Sequence, residues 1–204
     1  MKIYTIPSGP VSSNMYLLVE GDSSFIIDPS VDREEIKELP LADSIKAVFI
    51  THGHFDHIYA VDSYKGIPVY MSDKDRGLLA DPVANGSFLI NSKDEYVFDS
   101  IDSSGFDKES FGPVKVTTIE TPGHTAGSVC YLFETSDDKV LFSGDTLFHY
   151  GMGRTDLPTG SDADMAASLK LLKDLSPDLK VFPGHGEATS IGFECAANPY
   201  LGMI

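Results

Sequence analysis

Three histidines lie within six residues of one another, in the run THGHFDH that begins at Thr51. Side chains at i and i+2 of an extended segment point the same way, so His52 and His54 can bind one ion together. Asp56 and His57 follow on a turn and can face a neighbouring position. Imidazole and carboxylate groups are ordinary ligands of divalent metals. Surface imidazoles on a loop are the alternative, which the density of the cluster and its place after an apolar run disfavour.

Two more histidines and an aspartate stand in similar settings further along the chain. His124 lies in the sequence TPGHT and His185 in FPGHG. In both, a Pro-Gly turn follows an apolar run and presents a histidine at the rim of a predicted sheet. Asp145, in SGDT, follows a third apolar run. Taken singly these are ordinary turn residues, but together with the cluster around His52 they favour one shared metal centre.

These seven side chains exceed what one metal ion can use. A catalytic ion takes three protein ligands and leaves one position for water. Two ions about 3.5–4 Å apart that share one carboxylate and one hydroxide would account for all of them. Imidazole with carboxylate accommodates Zn, Fe or Mn, of which we expect Zn. The predicted ligands are His52, His54, Asp56, His57, His124, Asp145 and His185.

Short apolar runs alternate with helix-like patterns along the chain. Strands are predicted at 14–20, 24–28, 45–51, 68–71, 114–119, 128–133, 139–143 and 180–183. The first two form a hairpin, and run 45–51 is apolar enough to be covered on both faces. Helices are predicted at 32–39, 73–80 and 161–175. The natural architecture is α+β, with two facing mixed sheets and helices outside.

Residues 81–113 interrupt this alternation with turn-forming sequences such as Asn85-Gly86-Ser87 and Gly112-Pro113. A connection this long is usually a working loop, so a lid is predicted here. The 204 residues as a whole have the length of one domain, 1–204, and 42% of them are hydrophobic, as in a globular protein.

The chain is strongly acidic, with 15 Lys and Arg against 31 Asp and Glu and a net charge of −16. This charge repels phosphate backbones and anionic lipids, so neither a nucleic acid nor a membrane is an expected partner. Neither a signal peptide nor an apolar run long enough to span a bilayer is evident. Cys130 and Cys195 provide no disulfide framework and are expected in a strand core and in a helix or tail. A cytoplasmic protein of unknown oligomeric state is predicted.

The THGHFDH run, followed in order by His124, Asp145 and His185, resembles the metallo-β-lactamase superfamily over nearly the whole chain. The resemblance implies an αββα sandwich, in which two facing sheets lie between helices and the metals bind at one edge. It also implies that one ion is held by His52, His54 and His124. The other ion would be held by Asp56, His57 and His185, with Asp145 bridging. Asp56 and Asp145 are therefore the predicted catalytic carboxylates.

Narrower features are similar to the glyoxalase II-like branch, the short single-domain bacterial hydroxyacylglutathione hydrolases. They are GDTLF at 144–148, GRTDLP at 153–158 and GHG at 184–186. The chain departs from that pattern in having His149 where Arg is usual and in Thr159, which interrupts Pro-Gly-Gly. A counterpart of the C-terminal helical domain, which contacts glutathione in longer enzymes, is also not expected. These departures concern the substrate rather than the metal site.

The resemblance predicts hydrolysis of a small-molecule thioester or ester. Two divalent ions lower the pKa of a shared water, and the resulting hydroxide attacks the carbonyl carbon. A thiolate leaving group needs little protonation, which suits a site without an evident general acid. The alternatives are a persulfide dioxygenase with one iron, a lactonase and a silent metal-binding module. The absence of an export signal disfavours a secreted β-lactamase.

Three further polar residues lie close to the predicted ligands in the sequence. Asp28 is expected to be a buried acid that braces the metal loop. Arg154 could bind a substrate carboxylate, or could pair with Asp156 or a backbone carbonyl. His149 could orient the substrate or support a ligand, or be a solvated loop residue.

Overall fold

The computed structural model describes residues 1–8, 11–92 and 94–202. Within these residues the strands form two six-stranded sheets and one small two-stranded hairpin. The first sheet contains β1 (Lys2–Ser8), β2 (Ser13–Glu20), β3 (Ser23–Ile27), β4 (Ile45–Phe49), β5 (Val69–Met71) and β6 (Ile101–Asp102). These strands lie side by side in chain order, antiparallel from β1 to β3 and parallel from β3 to β6.

The second sheet and the small hairpin follow along the chain. Their strands are β7 (Glu109–Phe111), β8 (Val114–Glu120), β9 (Val129–Glu134), β10 (Lys139–Gly144), β11 (Leu147–Phe148), β12 (Gly151–Met152), β13 (Lys180–Pro183) and β14 (Thr189–Ser190). The order in the second sheet is β14-β13-β10-β9-β8-β7, and β11 pairs with β12. Only the β10–β13 pair of the second sheet is parallel in the described part of the chain, so both sheets are mixed.

The helices of the described residues are α1 (Phe55–Ile58), α2 (Arg76–Leu79), α3 (Asp162–Lys173), α4 (Ile191–Ala197) and α5 (Pro199–Gly202). The two longest, α3 and α4, lie in the second half of the chain, and the other three are single turns. Single 3₁₀ turns cover Arg33–Ile36, Ala42–Ser44, Val61–Tyr64, Asp73–Asp75 and Ser87–Ile90. In the described residues, no helix combines the length and apolar character needed to cross a membrane.

Three apolar cores separate the four layers of the fold. Alternating residues of the first sheet point to opposite faces, so Ile26 lies in the outer core while Phe25 lies between the sheets. The second sheet does the same: Phe133 faces the first sheet, and Leu141 packs towards the buried face of α3, which includes Leu169. The predicted αββα sandwich of class α+β is therefore confirmed.

Most predicted elements are confirmed with shifted ends. β2 and β3 form the expected hairpin, and β4 lies between two parallel neighbours with both faces covered. Ser161 caps α3 by accepting a hydrogen bond from the Asp164 N–H, as the pattern indicates. Cys130 is in the core on β9 and Cys195 is in α4.

Three elements differ from the sequence predictions. The helix predicted at 32–39 is only the 3₁₀ turn Arg33–Ile36, since so short a segment gains few helical hydrogen bonds. The helix predicted at 73–80 is divided into a 3₁₀ turn and α2. Residues 81–113, predicted as a loop, contain the strands β6 and β7. These strands pair with β5 and β8 through backbone hydrogen bonds, and their own side-chain pattern does not predict a strand. The lid function of this segment stays a prediction.

Candidate metal centre

All seven predicted ligands meet at one edge of the sandwich, on the loops that follow β4, β8, β10 and β13. Three groups have ligand atoms within 4.8 Å of one another. These groups are His52, His54 and His124; His52, His57 and Asp145; and Asp56, His57 and His185. The structure thus brings together residues that lie on four different loops.

The first group, which we call the three-histidine set (His52, His54, His124), is almost closed to solvent. Its members are 1%, 4% and 3% exposed. One ring nitrogen of His54 lies 2.8 Å from Nε2 of His124, and the His52 ring centroid is 4.9 Å from that of His54 and 4.8 Å from that of His124. The three rings are therefore close enough to share one ion.

The other side of the centre, which we call the outer set (Asp56, His57, His185), opens towards solvent. The side chain of His185 is 27% exposed and that of Asp56 is 13% exposed, whereas that of His57 is fully buried. Oδ2 of Asp56 lies 3.3 Å from Nε2 of His185 and 3.5 Å from Nε2 of His57. A small molecule can therefore reach the centre from this side.

Asp145 lies between the two sets and reaches both. Its Oδ1 is 3.4 Å from Nε2 of His57, and its Oδ2 is 3.5 Å from the Nε2 atoms of His124 and His185. A glycine at position 184 makes room for this carboxylate, because a Cβ there would lie 2.1 Å from Oδ1 of Asp145. The position between the sets is the one that the sequence resemblance implies for a bridging ligand.

Hydrogen bonds on the far side of the rings orient three of the histidines. Nδ1 of His57 lies 2.8 Å from Asp28 Oδ2, and Nδ1 of His124 lies 2.7 Å from the Arg154 carbonyl oxygen. The Thr51 hydroxyl donates to Asp28 and can accept from Nδ1 of His52 at 3.1 Å. With Nδ1–H donating in each case, Nε2 of each ring is left to face the centre.

Asp28 therefore braces the metal loop, as the sequence predicts. Its Oδ1 accepts a hydrogen bond from the Thr51 N–H at 2.7 Å, and its Oδ2 accepts from the Thr51 hydroxyl and faces His57. The residue is 1% exposed and has a φ of 54°, a conformation that is uncommon for aspartate. This backbone geometry at the end of β3 directs the carboxylate to the loop after β4.

Several buried polar atoms of the centre are left without a hydrogen-bond partner. They are Nε2 of His52, His54 and His57 and Oδ1 of Asp145. Burying a polar atom without a partner is costly, so atoms of this kind indicate a missing ligand. Since unprotonated imidazole nitrogens and carboxylate oxygens are metal ligands, the residues present fit a pair of divalent ions.

The two sets differ in electrostatics in the metal-free protein. Burial lowers the pKa of His52 well below its ordinary value, and burial together with the neighbouring His124 lowers the pKa of His54 to about 3. Burial also acts to lower the pKa of His57 and His185, but the adjacent carboxylates raise these values to about 9 and about 11. The rings of His52 and His54 are thus neutral in the metal-free protein at neutral pH, whereas those of His57 and His185 are charged.

The same contacts act on the two carboxylates of the centre. Burial acts to raise the pKa of Asp56 and Asp145. The charge of His57 and hydrogen bonding from His185 outweigh it and hold both pKa values below the ordinary range, well below in the case of Asp145. Both groups are therefore carboxylates at neutral pH, as metal ligands must be.

Two residues that form hydrogen bonds to the ligand loops were not predicted from the sequence. Asn14 on β2 donates through its side-chain NH₂ to the carbonyl oxygens of Pro183 and Gly186, and so holds the loop that carries His185. Asp75 accepts hydrogen bonds from the two loops that carry the three-histidine set. Neither residue has a distinctive local pattern, because its partners lie far away in the chain.

Arg154 and His149 do not join the cluster of ligands. The Arg154 guanidinium donates to both carboxylate oxygens of Asp156, at 2.7 and 2.8 Å, which is one of the alternatives open in the sequence. His149 packs against Tyr150 and Phe193, with ring centroids 4.4 and 5.1 Å away. Its Nδ1 lies 3.8 Å from Glu187 Oε2.

The candidate lid touches the centre at its first turn. The N–H of Phe55 donates to the carbonyl oxygen of Asn85 at 2.8 Å, and this bond joins the start of α1 to segment 81–113. Because α1 carries Asp56 and His57, the position of the outer set depends on this segment. Phe88 and Leu89, further along the segment, are exposed apolar side chains.

Comparisons with known proteins agree with this geometry. The chain is 34% identical to the probable metallo-hydrolase YqgX of Bacillus subtilis, over 98% of each chain. The solved structure of the BLEG-1 B3 metallo-beta-lactamase is 35% identical, with a TM-score of 0.87 and coverage of 98% of this chain and 99% of that one. The structure of TTHA1623 in a di-iron-bound form is 30% identical, with a TM-score of 0.79 and coverage of 97% and 100%.

A family model provides the assignment. The metallo-beta-lactamase superfamily model matches residues 8–185. The match begins at the last residue of β1 and ends at the last predicted ligand, His185. The match therefore includes all four ligand-bearing loops and the strands that position them. This chain belongs to the metallo-beta-lactamase superfamily.

Proposed function

We propose that this metallo-hydrolase of the metallo-beta-lactamase superfamily cleaves thioesters, with hydroxyacylglutathione thioesters as the first candidates. The observation that carries the proposal is the completeness of the centre. Both the three-histidine set and the outer set are present, and Asp145 lies within 3.5 Å of both. A complete double set supports a catalytic centre over a silent metal-binding module. A persulfide dioxygenase keeps the same histidines and uses one iron, so the number of bound ions separates that alternative from hydrolysis.

Two divalent ions held by these residues would supply a water of lowered pKa and would polarise the substrate carbonyl. The residues of the chain contribute position and environment. Asp28 and the Arg154 carbonyl fix the rings of His57 and His124, so little reorganisation is needed during the reaction. The three-histidine set is sealed from bulk water, while the outer set is the side from which a substrate can enter.

The leaving group is the reason for choosing a thioester. The described polar side chains that contact the ligands from behind, Asp28 and Thr51, are committed to the hydrogen bonds that hold the loop. Neither is placed to protonate a departing atom on the open side. A thiolate is stable enough to leave without a proton, whereas an amine nitrogen usually needs general acid help.

The test compares substrates and metal content on the same protein sample. Purified protein is analysed for bound metals and assayed with S-lactoylglutathione, glutathione persulfide under oxygen, a simple lactone and a chromogenic β-lactam. Two ions per chain with thioester turnover is the expected result. One iron per chain with oxygen uptake on the persulfide, or turnover of the lactone alone, would contradict the proposal.

The B3 metallo-beta-lactamase at 35% identity favours β-lactam hydrolysis as a second candidate. The same centre could serve an amide, because the strained four-membered ring assists departure of the nitrogen. The β-lactam arm of the assay separates the two functions. A kcat/KM for the β-lactam above that for every thioester would replace the first proposal with the second.

A further inference from the structure

The carboxylate of Asp75 lies where a loop of the first sheet meets a loop of the second. Its Oδ2 accepts hydrogen bonds from the Gly53 N–H at 2.9 Å and from the Thr125 hydroxyl at 2.7 Å. Its Oδ1 accepts one from the Gly127 N–H at 2.7 Å. The residue is fully buried. One side chain therefore links the loop after β4 to the loop between β8 and β9.

The three donors, two backbone N–H groups and the Thr125 hydroxyl, lie on the two loops that carry the three-histidine set. Gly53 stands between His52 and His54, and Thr125 directly follows His124. In the described residues the side chain of Asp75 forms no hydrogen bond with Asp56 or His57, which lie on α1, or with His185, which follows β13. The contacts thus distinguish one half of the centre from the other.

The surroundings of Asp75 leave little freedom to this contact. A Cβ at position 127 would lie 2.5 Å from Oδ1 of Asp75, so glycine is required for the close approach. The hydroxyl of Ser128 lies 2.8 Å from that of Thr125 and also accepts from the Thr125 N–H at 3.0 Å. Both the acceptor and its donors are therefore held in place.

Burial of a carboxylate needs compensation from hydrogen bonds or from opposite charge. In the described part of the chain, Asp75 forms no salt bridge, and its compensation comes from the three donors on the two loops. Hydrogen bonds to a charged acceptor are short and strong. Here these hydrogen bonds fix the distance between the loop after β4 and the loop between β8 and β9.

We propose that Asp75 is a positioning residue that holds the three-histidine set, and not the outer set, at the spacing that one metal ion requires. The inference rests on the metal centre of the proposed function and not on its substrate. The test therefore measures metal binding, which keeps its outcome separate from that of the substrate assays.

The central experiment compares Asp75→Asn with Asp73→Asn, an exposed change on the same 3₁₀ turn. Apoprotein is titrated with Co²⁺, and the visible spectrum and the bound metal per chain are recorded. In Asp75→Asn we expect one of the two ions to bind about 10–100-fold more weakly and the other to bind as in the wild type. Asp73→Asn is expected to bind both ions normally. Equal weakening of both ions in Asp75→Asn, or none, would overturn the proposal.

Combination with ligand variants identifies which ion is affected. Asp75→Asn is added to His54→Ala, which already lacks a member of the three-histidine set, and to His185→Ala, which lacks a member of the outer set. We expect no further loss of Co²⁺ affinity in the first background and the full 10–100-fold loss in the second. The reverse pattern would assign Asp75 to the outer set and contradict the proposal.

A milder pair of variants covers the case in which Asp75→Asn does not fold. Thr125→Val removes one of the three donors, and Thr125→Ser keeps the hydroxyl. Thr125→Val is expected to weaken the same ion by a smaller factor, of roughly 10-fold, and Thr125→Ser to restore the affinity. The thermal midpoint of each apoprotein is measured as well. Identical Co²⁺ affinity in both variants and the wild type would also overturn the proposal.

Discussion

The two halves of the metal centre are built in opposite ways. The three-histidine set is closed off from solvent and is held from behind by Thr51, Asp75 and the Arg154 carbonyl. The outer set consists of charged partners, with His185 and Asp56 partly exposed. The three-histidine set is suited to binding an ion away from solvent, whereas the outer set is suited to binding an ion that a substrate can approach.

Asp145 and Asp28 are the residues that connect the two halves. Asp145 faces rings of both sets from inside the centre, and Asp28 braces His57 and, through Thr51, His52 from behind. The difference between the sets therefore predicts which substitutions affect one ion and which affect both.

The largest effect is expected from Asp145→Asn, which changes the residue that both sets share. An amide in this position loses the charge that opposes the two ions, and both ions should bind weakly. If the centre contributes about 4 kcal/mol to the reaction, kcat/KM for the best substrate falls on the order of 1,000-fold. Metal analysis and kinetics check this, with the exposed Asp137→Asn as control. An Asp145→Asn protein that retains two ions would contradict the shared role.

Ligand variants within one set test whether the halves are separable. His54→Ala and His185→Ala should each leave about one ion per chain. The affinity for the ion whose ligand is removed should fall by more than the roughly 100-fold typical of residues that only orient a ligand. His185→Ala, on the open side, is also expected to change the KM of substrates. Metal content after dialysis and steady-state kinetics measure both effects. If either variant loses both ions, the centre behaves as one unit and the comparison fails.

Asp28→Asn should affect both halves, in contrast to Asp75→Asn. Its carboxylate accepts from the Thr51 N–H and hydroxyl and faces His57, so its loss disturbs a ring in each set. We expect about 10–100-fold weaker binding of both ions. Co²⁺ titration of the two variants side by side makes the measurement. If Asp28→Asn lost only one ion, Asp28 and Asp75 would not differ in the way proposed.

The smallest expected effect is on the pH dependence of the metal-free protein. For His57 and His185 the folded pKa is raised, to about 9 and about 11, so their stabilising contribution is complete below the unfolded value near 6.5 and is lost as the pH rises. For His52 and His54 the folded pKa is lowered, to about 3 in His54, so stability is lost as the pH falls from about 6.5. The thermal midpoint of the apoprotein should peak near neutral or slightly acidic pH.

Single substitutions separate the two limbs of this profile. His54→Ala should flatten the acid limb and His185→Ala the alkaline limb, each measured by thermal unfolding of apoprotein. Added metal should flatten the alkaline limb and steepen the acid limb, because ligation keeps the rings unprotonated in both halves while the unfolded chain takes up protons below about pH 6.5. A profile that is unchanged by either substitution would show that the charge difference between the sets does not contribute to stability.

Most residues of the candidate site could be predicted from the sequence, because the signals for them lie within a few consecutive residues. His52, His54, Asp145 and His185 follow apolar runs directly, and the strand ends of a sandwich meet at one edge. The strand hairpin and the two-sided burial of β4 were also readable, because alternation and apolar runs are properties of a few consecutive residues. The short strands β6 and β7 were not, since their pairing depends on neighbours rather than on their own polar residues.

The sequence by itself determined the kinds of ligands, their order along the chain and the layered fold that carries them. It did so because imidazoles, carboxylates and the period of apolar residues are local signals. Only the tertiary structure decided that Asp75 and Asn14 hold the ligand loops, that one half of the centre is closed, and that Arg154 pairs with Asp156. These facts depend on distances between separate elements, and such distances are set by how the two sheets pack rather than by any short stretch of chain.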